Sequence, residues 1–206
     1  MRVALFGGTF DPVHRGHLAI ATAAADAYAL DRVLFAPVGR QPLKSEPSAA
    51  SYADRVAMTR LACAPTAQNP DPRFSVSRLD APHSDGSPNY TVDAITALLL
   101  ESPCATLFML TGADSFLDLR RWRSPDWLLE LAEWIVVSRP DFPLSEQQLA
   151  PLALSPAQRA RVHLLTTVHE DLSATDLRRR LRDGDPCAGL LSPAVAEYIR
   201  THNLYR

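Results

Sequence analysis

Two histidines three residues apart, His14 and His17, follow a pair of glycines, Gly7 and Gly8, in the stretch GGTFDPVHRGH. On a helix, that spacing puts both imidazoles on one side, and each ring can donate to a phosphate oxygen. The glycines allow a tight turn and a close approach of main chain to ligand. The Ala-rich run LAIATAAADAYAL that starts after His17 reads as a helix, whose first N–H groups and dipole favour an anion. The chemistry this suggests is phosphate recognition and charge neutralisation. A zinc site is the weaker alternative, because no third ligand of suitable spacing stands nearby. A plain alternative is a Gly-Gly turn with Asp11 and Pro12 setting up a helix beneath surface histidines; the dense glycines after an apolar run favour the phosphate.

A second constellation lies far along the chain, in HEDLSATDLRRRL. Ser173 with Asp176 three residues on is an N-cap pattern with a carboxylate at the positive end of a new helix. Thr175 adds a hydroxyl, and Arg178, Arg179 and Arg180 add positive charge. A capped helix with a basic solvated face would look the same. Between the two constellations, Asp114 falls just past an apolar segment, where ligands collect at the carboxyl edge of a sheet. Trp127, spaced with Leu128 and Leu131, is assigned to packing.

These residues need elements to hold them. Apolar runs bounded by breakers give strands at Val3–Phe6, Arg32–Ala36, Arg73–Ser77, Thr106–Thr111, Trp134–Val137 and Val162–Thr166. Helical patterns fall at about His17–Ala29, Tyr52–Ala64, Val92–Leu100, Ser115–Leu119, Asp126–Leu131, Ser173–Leu181 and Pro193–His202. Alternation of short apolar strands with helices predicts an α/β fold: a Rossmann-like, doubly wound, mostly parallel sheet with helices on both faces. The polar, Pro-interrupted segment 141–161 is expected to be a surface insertion.

A chain of 206 residues is about 1.4 times a typical domain, so one domain over 1–206 is expected, with the part from about 167 carrying the second constellation and the closing helices. The net charge of −2 gives no global positive field for nucleic acid or an anionic membrane, so any anion must be gripped locally. Cys63, Cys104 and Cys187 are widely spaced and odd in number, which fits a reduced, cytoplasmic protein and disfavours a disulfide framework. No apolar run approaches the 18 or so residues of a membrane span.

The motif GGTFDPVHRGH resembles the G-x-F/T-D-P-x-H-x-G-H signature of the nucleotidyltransferases that move an adenylyl or cytidylyl group onto a phosphorylated acceptor. Leu172-Ser173-Ala174-Thr175 with Arg178 resembles the terminal motif I-S-S-T-x-x-R of the same family, with Ala174 in place of the second serine. NYTVDAI (Asn89–Ile95), GADSF followed by Trp122, WIVVSRP (Trp134–Pro140) and the closing SPAVAEYIRTHNLYR are similar to one branch, the nicotinate-mononucleotide adenylyltransferases, so that the resemblance spans nearly the whole chain.

That resemblance implies catalytic roles for His14, His17, Lys44 and Arg178. It implies an ATP site of Gly7, Gly8, Thr9, Phe10, His14, His17, Gly112, Asp114, Ser173, Thr175 and Arg178, and an acceptor site of Lys44, Tyr90, Thr91, Trp122 and Arg123. Trp122 would stack on the pyridine, and N–H groups near Thr91 would meet its carboxylate. Leu43 stands where the family has histidine, Arg55 matches a family arginine without an assigned role, and His83, His163, His169 and His202 form no constellation. Magnesium is implied, bound mainly through the ATP phosphates, with no dedicated metal ligands. The implied partners are ATP and nicotinate mononucleotide, with no nucleic acid and no membrane; the oligomeric state is open, a homodimer being one option. The implied reaction gives deamido-NAD and pyrophosphate. Its rivals are the same transfer to nicotinamide mononucleotide or to another phosphorylated acceptor such as phosphopantetheine, and a non-catalytic adenine-nucleotide sensor.

Overall fold

The computed structural model describes residues 1–43, 46–67, 70–138, 144–166 and 172–206. Six strands form one sheet: β1 (Arg2–Gly8), β2 (Arg32–Pro37), β3 (Phe74–Val76), β4 (Thr106–Gly112), β5 (Glu133–Val137) and β6 (Val162–Leu165). Their order is β3-β2-β1-β4-β5-β6, and every pairing is parallel. The sequence predicts all six strands, and the sheet is parallel throughout rather than mostly so.

The strands read as continuous apolar runs because both sheet faces are covered. Successive side chains alternate between two cores. Ala4, Phe6, Val33, Phe35, Phe108 and Leu110 face one, beneath α1 (Arg15–Ala27), α2 (Tyr52–Cys63), α8 (Ala174–Arg182) and α9 (Pro193–Thr201). Val3, Leu5, Leu34, Leu107, Met109 and Trp134 face the other, beneath α3 (Thr91–Glu101), α4 (Ala113–Leu117) and α5 (Pro125–Leu131). The small residues Ala21, Ala24 and Ala25 are fully buried where α1 meets the sheet.

Two expectations change. The stretch expected as a surface insertion carries two short helices, α6 (Glu146–Leu149) and α7 (Pro156–Ala160), and buries Leu144, Leu149 and Leu152 in the second core. Four- and five-residue helices are too short to leave a readable period, which is why the segment looks like a loop. Trp127 is 51% exposed, not packed: the buried stripe of α5 runs through Leu128 and Leu129, and Trp127 stands outside it.

The chain crosses from β3 back over the sheet to β4, which lies on the other side of β1 from β2. This reversal of strand order opens a crevice at the carboxyl ends of β1 and β4, the position where doubly wound sheets bind ligands.

Candidate functional site

The loop from β1 to α1 carries the first motif. Gly7 and Gly8 are still strand, paired with Ala36 and Pro37 of β2. The turn comes at Phe10, whose φ of 49° is left-handed. Gly8 is required for a different reason than turning: a Cβ there would lie 2.9 Å from Cζ of the Phe10 ring. That ring packs edge-on against His17, with centroids 5.0 Å apart.

His14 takes the N-cap position of α1, and its main-chain N–H donates to Nδ1 of His17 at 3.2 Å. With Nδ1 accepting, the neutral His17 ring carries its proton on Nε2. The two rings lie 3.8 Å apart. Burial lowers the His14 pKa to about 4, and burial followed by the charge of His14 holds His17 well below its ordinary value. Both rings are therefore neutral donors near pH 7. Gly16 makes room for the first of them: a Cβ there would sit 3.1 Å from His14 Nδ1.

A cavity of about 770 Å³ opens over this pair. Thr9, Phe10, His14 and His17 line it from one side, Gly112 and Asp114 from the end of β4, and Ser173, Thr175 and Arg178 from α8. Residues from the two ends of the sequence thus meet. Arg178 reaches across to donate to the carbonyl of Asp11 at 2.8 Å and to Thr175 Oγ1 at 3.1 Å. Arg182, one turn further along α8, also lines the cavity; its i+4 spacing from Arg178 was the signal that could have found it. Arg180 points elsewhere and pairs with Asp185 at 2.7 Å. Ser173 is the N-cap residue of α8 as expected, but its side chain makes no cap hydrogen bond, and Asp176 pairs with Arg179.

A second cavity of about 230 Å³ adjoins the first through Thr9, which lines both. Tyr90, Thr91, Trp122 and Arg123 all line it. So do Gly7 and Gly8, which the resemblance assigned to ATP, and Leu43, 40% exposed in place of the family histidine. Thr91 opens α3, and the first N–H groups of a helix have no carbonyl partner within it. Trp122 is half-buried against Trp134, centroids 5.9 Å apart. The Arg123 guanidinium lies 4.7 Å over the Tyr90 ring. Asn89 clamps the rim: its Oδ1 accepts the Arg40 N–H at 2.8 Å and its Nδ2 donates to the Ala81 carbonyl at 2.7 Å. Asp80, whose carboxyl is pushed up to about 6 by burial, completes the wall. Lys44 lies outside the described residues.

A model of the cytidylyltransferase-like family matches residues 5–180. The chain belongs to the cytidylyltransferase-like family. Within this family, the chain is 41% identical over 206 residues to a probable nicotinate-nucleotide adenylyltransferase of Thermus thermophilus, covering all of both chains. It is 41% identical over 204 residues to the protein of the same name from Roseiflexus sp., covering 99% of this chain and 98% of that one. Among solved structures, the Plasmodium falciparum nicotinic acid mononucleotide adenylyltransferase complexed with NaAD superposes with a TM-score of 0.78 at 16% identity, over 99% of this chain and 97% of that one. At that identity the likeness speaks for the family fold.

Two further buried residues fasten the loop between β1 and α1. Arg55, 2% exposed on α2, donates to the Thr9 carbonyl at 2.8 Å, so its role is to hold the motif loop. Its match to a family arginine was the available signal. Asp11, also 2% exposed, accepts N–H groups of Ala49 and Ala50 at 2.7 and 3.1 Å. Among the described residues no group of three or more His, Cys, Asp or Glu is placed to hold a metal ion, and no helix is long and apolar enough to cross a membrane.

Proposed function

We propose that this chain transfers the adenylyl group of ATP to nicotinate mononucleotide, giving deamido-NAD and pyrophosphate. The observation that carries this reading is the pair of adjoining cavities at the ends of β1 and β4. The larger is lined by His14, His17, Thr175 and Arg178, the smaller by Tyr90, Thr91 and Trp122, and Thr9 stands between them. Relatives about 40% identical over their full length carry the corresponding name.

In this reading the triphosphate occupies the larger cavity and the pyridine ring the smaller. An oxygen of the acceptor phosphate attacks the α-phosphorus in line; the new P–O bond forms as the bond to pyrophosphate breaks. No covalent intermediate with the protein is needed, so catalysis is positioning and charge neutralisation. His17 donates from Nε2 to oxygens that gain charge, and Arg178 adds a fixed positive charge. Because the histidines are neutral, their burial costs little, and the developing anion strengthens their hydrogen bonds.

Magnesium enters with ATP as the Mg–ATP substrate. The protein donors available fit that role: the Asp11 carboxylate accepts from Ala49, Ala50 and Tyr205, and Asp114 is a carboxylate that lines the larger cavity. The ion would neutralise the leaving pyrophosphate. Nucleic acid and membrane have no place in the reaction, and the cytoplasm is its proposed location.

A pyrophosphate-release assay with Mg–ATP and a panel of acceptors tests the proposal. Turnover with nicotinate mononucleotide well above that with the amide or with phosphopantetheine is the expected result. No release with any acceptor would leave a nucleotide-binding protein without transfer activity.

A further inference from the structure

The segment after α9 turns back on itself and ends against the motif loop. Asn203 and Tyr205 both have left-handed backbone, with φ of 52° and 62°, and the Leu204 N–H closes onto the Ile199 carbonyl at 3.1 Å. Left-handed φ is unfavourable for a side-chain-bearing residue and persists only where its surroundings hold it. Leu204 and Tyr205 rest against the first core, and the Tyr205 hydroxyl donates to Asp11 Oδ1 at 2.6 Å. Burial, together with that hydrogen bond, pushes the phenol pKa up, so it stays a donor.

Asp11 is where the motif loop is fastened. One carboxylate oxygen receives Ala49 N–H; the other receives Ala50 N–H at 3.1 Å and the Tyr205 hydroxyl at the shorter distance. The preceding residue is left-handed Phe10, whose ring contacts His17. Three residues further on is His14, the N-cap of α1. Alongside the Arg55 and Arg178 bonds to the carbonyls of Thr9 and Asp11, the placement of both imidazoles is therefore linked to the orientation of this buried carboxylate. Its strongest side-chain partner comes from 194 residues away.

We propose that Tyr205 is a positioning residue for adenylyl transfer, fixing through Asp11 the loop that presents His14 and His17 to the nucleotide phosphates. This rests on the roles given above to the two histidines. Loss of the hydroxyl leaves Oδ1 with only the longer Ala50 contact, a desolvated charge short of one donor. The carboxylate then re-orients or admits water, and the loop gains freedom at the point where small displacements of catalytic groups cost most.

The same part of the chain supplies an internal control. The Tyr198 hydroxyl on α9 donates to Asp54 Oδ1 of α2 at 2.9 Å, a tyrosine–aspartate bond that does not end on the motif loop. The test compares wild type, Tyr205→Phe, Tyr198→Phe, Asp11→Asn and the double variant Tyr205→Phe/Asp11→Asn. The measurements are pyrophosphate release, thermal unfolding, and the ¹⁵N shifts of the His17 ring, which report the His14 N–H bond to Nδ1. Tyr205→Phe should lower kcat about tenfold, with KM for either substrate changing less than about twofold. It should shift the His17 signals, whereas Tyr198→Phe leaves both kcat and those signals at the wild-type value. The double variant should be no slower than Asp11→Asn alone, because the hydroxyl acts through that carboxylate.

The proposal is overturned if Tyr205→Phe retains more than about half of wild-type kcat. It is equally overturned if the kcat losses of the two tyrosine variants follow their losses in Tm alike. Should Asp11→Asn fail to fold, the two tyrosine variants decide. If wild type itself releases no pyrophosphate, the transfer reading fails, and the His17 spectra of the same variants still judge whether Tyr205 sets the ring.

Discussion

Nδ1 of His17 accepts the main-chain N–H of His14 at 3.2 Å, and the two rings lie 3.8 Å apart. The bond commits Nδ1 as an acceptor and leaves Nε2–H as the donor for a ligand. His17→Ala should therefore remove a transition-state donor and lower kcat by about two to three powers of ten. The lost bond to the His14 N–H and the lost contact with Phe10 should also cost about 0.5–2 kcal/mol of stability. Retention of more than about a third of kcat under saturating substrates would exclude His17 from the mechanism.

Arg178 and Arg180 sit two positions apart on α8 with different partners. Arg178→Ala should weaken ATP by the loss of a charge-assisted phosphate contact, about 1.5–3 kcal/mol. Arg180, paired with Asp185, should matter much less. Equal changes in the KM for ATP would mean that the arginines act as a diffuse basic patch.

In the proposed reaction, acceptor choice should depend on the Thr91 and Val92 N–H groups at the start of α3. A nicotinate carboxylate only accepts hydrogen bonds, whereas an amide also presents donors. Donor set against donor leaves buried groups unpaired at about 1–3 kcal/mol each. Two such mismatches predict a kcat/KM preference for the acid of about 10²-fold or more. Trp122→Ala should lower kcat/KM for both mononucleotides and keep their ratio within a few-fold, since stacking does not distinguish them. A ratio near one would overturn the nicotinate assignment and leave adenylyl transfer standing.

Gly39 lies against Asn89, which lines the smaller cavity. A Cβ there would lie 2.5 Å from the Pro82 nitrogen and 2.6 Å from Asn89 Oδ1. The first is main chain and the second is already held by Arg40, so neither can retreat cheaply. Gly39→Ala should destabilise the protein by about 1–3 kcal/mol, the usual cost of overpacking, and raise the acceptor KM more than the ATP KM. Unchanged thermal unfolding would contradict this.

The depressed His14 pKa has a pH signature of definite sign. In the unfolded chain His14 gains its proton as pH falls through 6.5, and in the folded chain only near 4. Between those values the unfolded state binds more protons. The contribution is thus fully present above 6.5 and lost as pH falls towards 4, a change of about 3 kcal/mol. Urea unfolding of wild type and His14→Asn across this window should give a difference that shrinks on the acid side. Bound ATP, which favours the charged ring, should reduce the loss; a flat difference curve would show that His14 is not buried as a neutral ring.

The sequence by itself determined the sheet and the two motifs, for local reasons. Runs such as Val3–Phe6 and Thr106–Thr111 are apolar on both faces, which only strands covered on both sides require, and the alternation with helices dictates a parallel crossover fold. His14 and His17, Ser173, Thr175 and Arg178 were legible because fixed spacings on a helix or cap survive any fold around them. The left-handed turn at Phe10, the tautomer of His17, the division into two cavities meeting at Thr9, and the anchoring of the loop by Arg55 and Tyr205 were decided only by the tertiary structure. Each depends on partners far apart in sequence, 46 residues for Arg55 and Thr9 and 194 for Tyr205 and Asp11. Burial gives these bonds their effect: an arginine, an aspartate or a histidine takes on its role when water is excluded from it. That exclusion belongs to the assembled layers and not to any window of the chain.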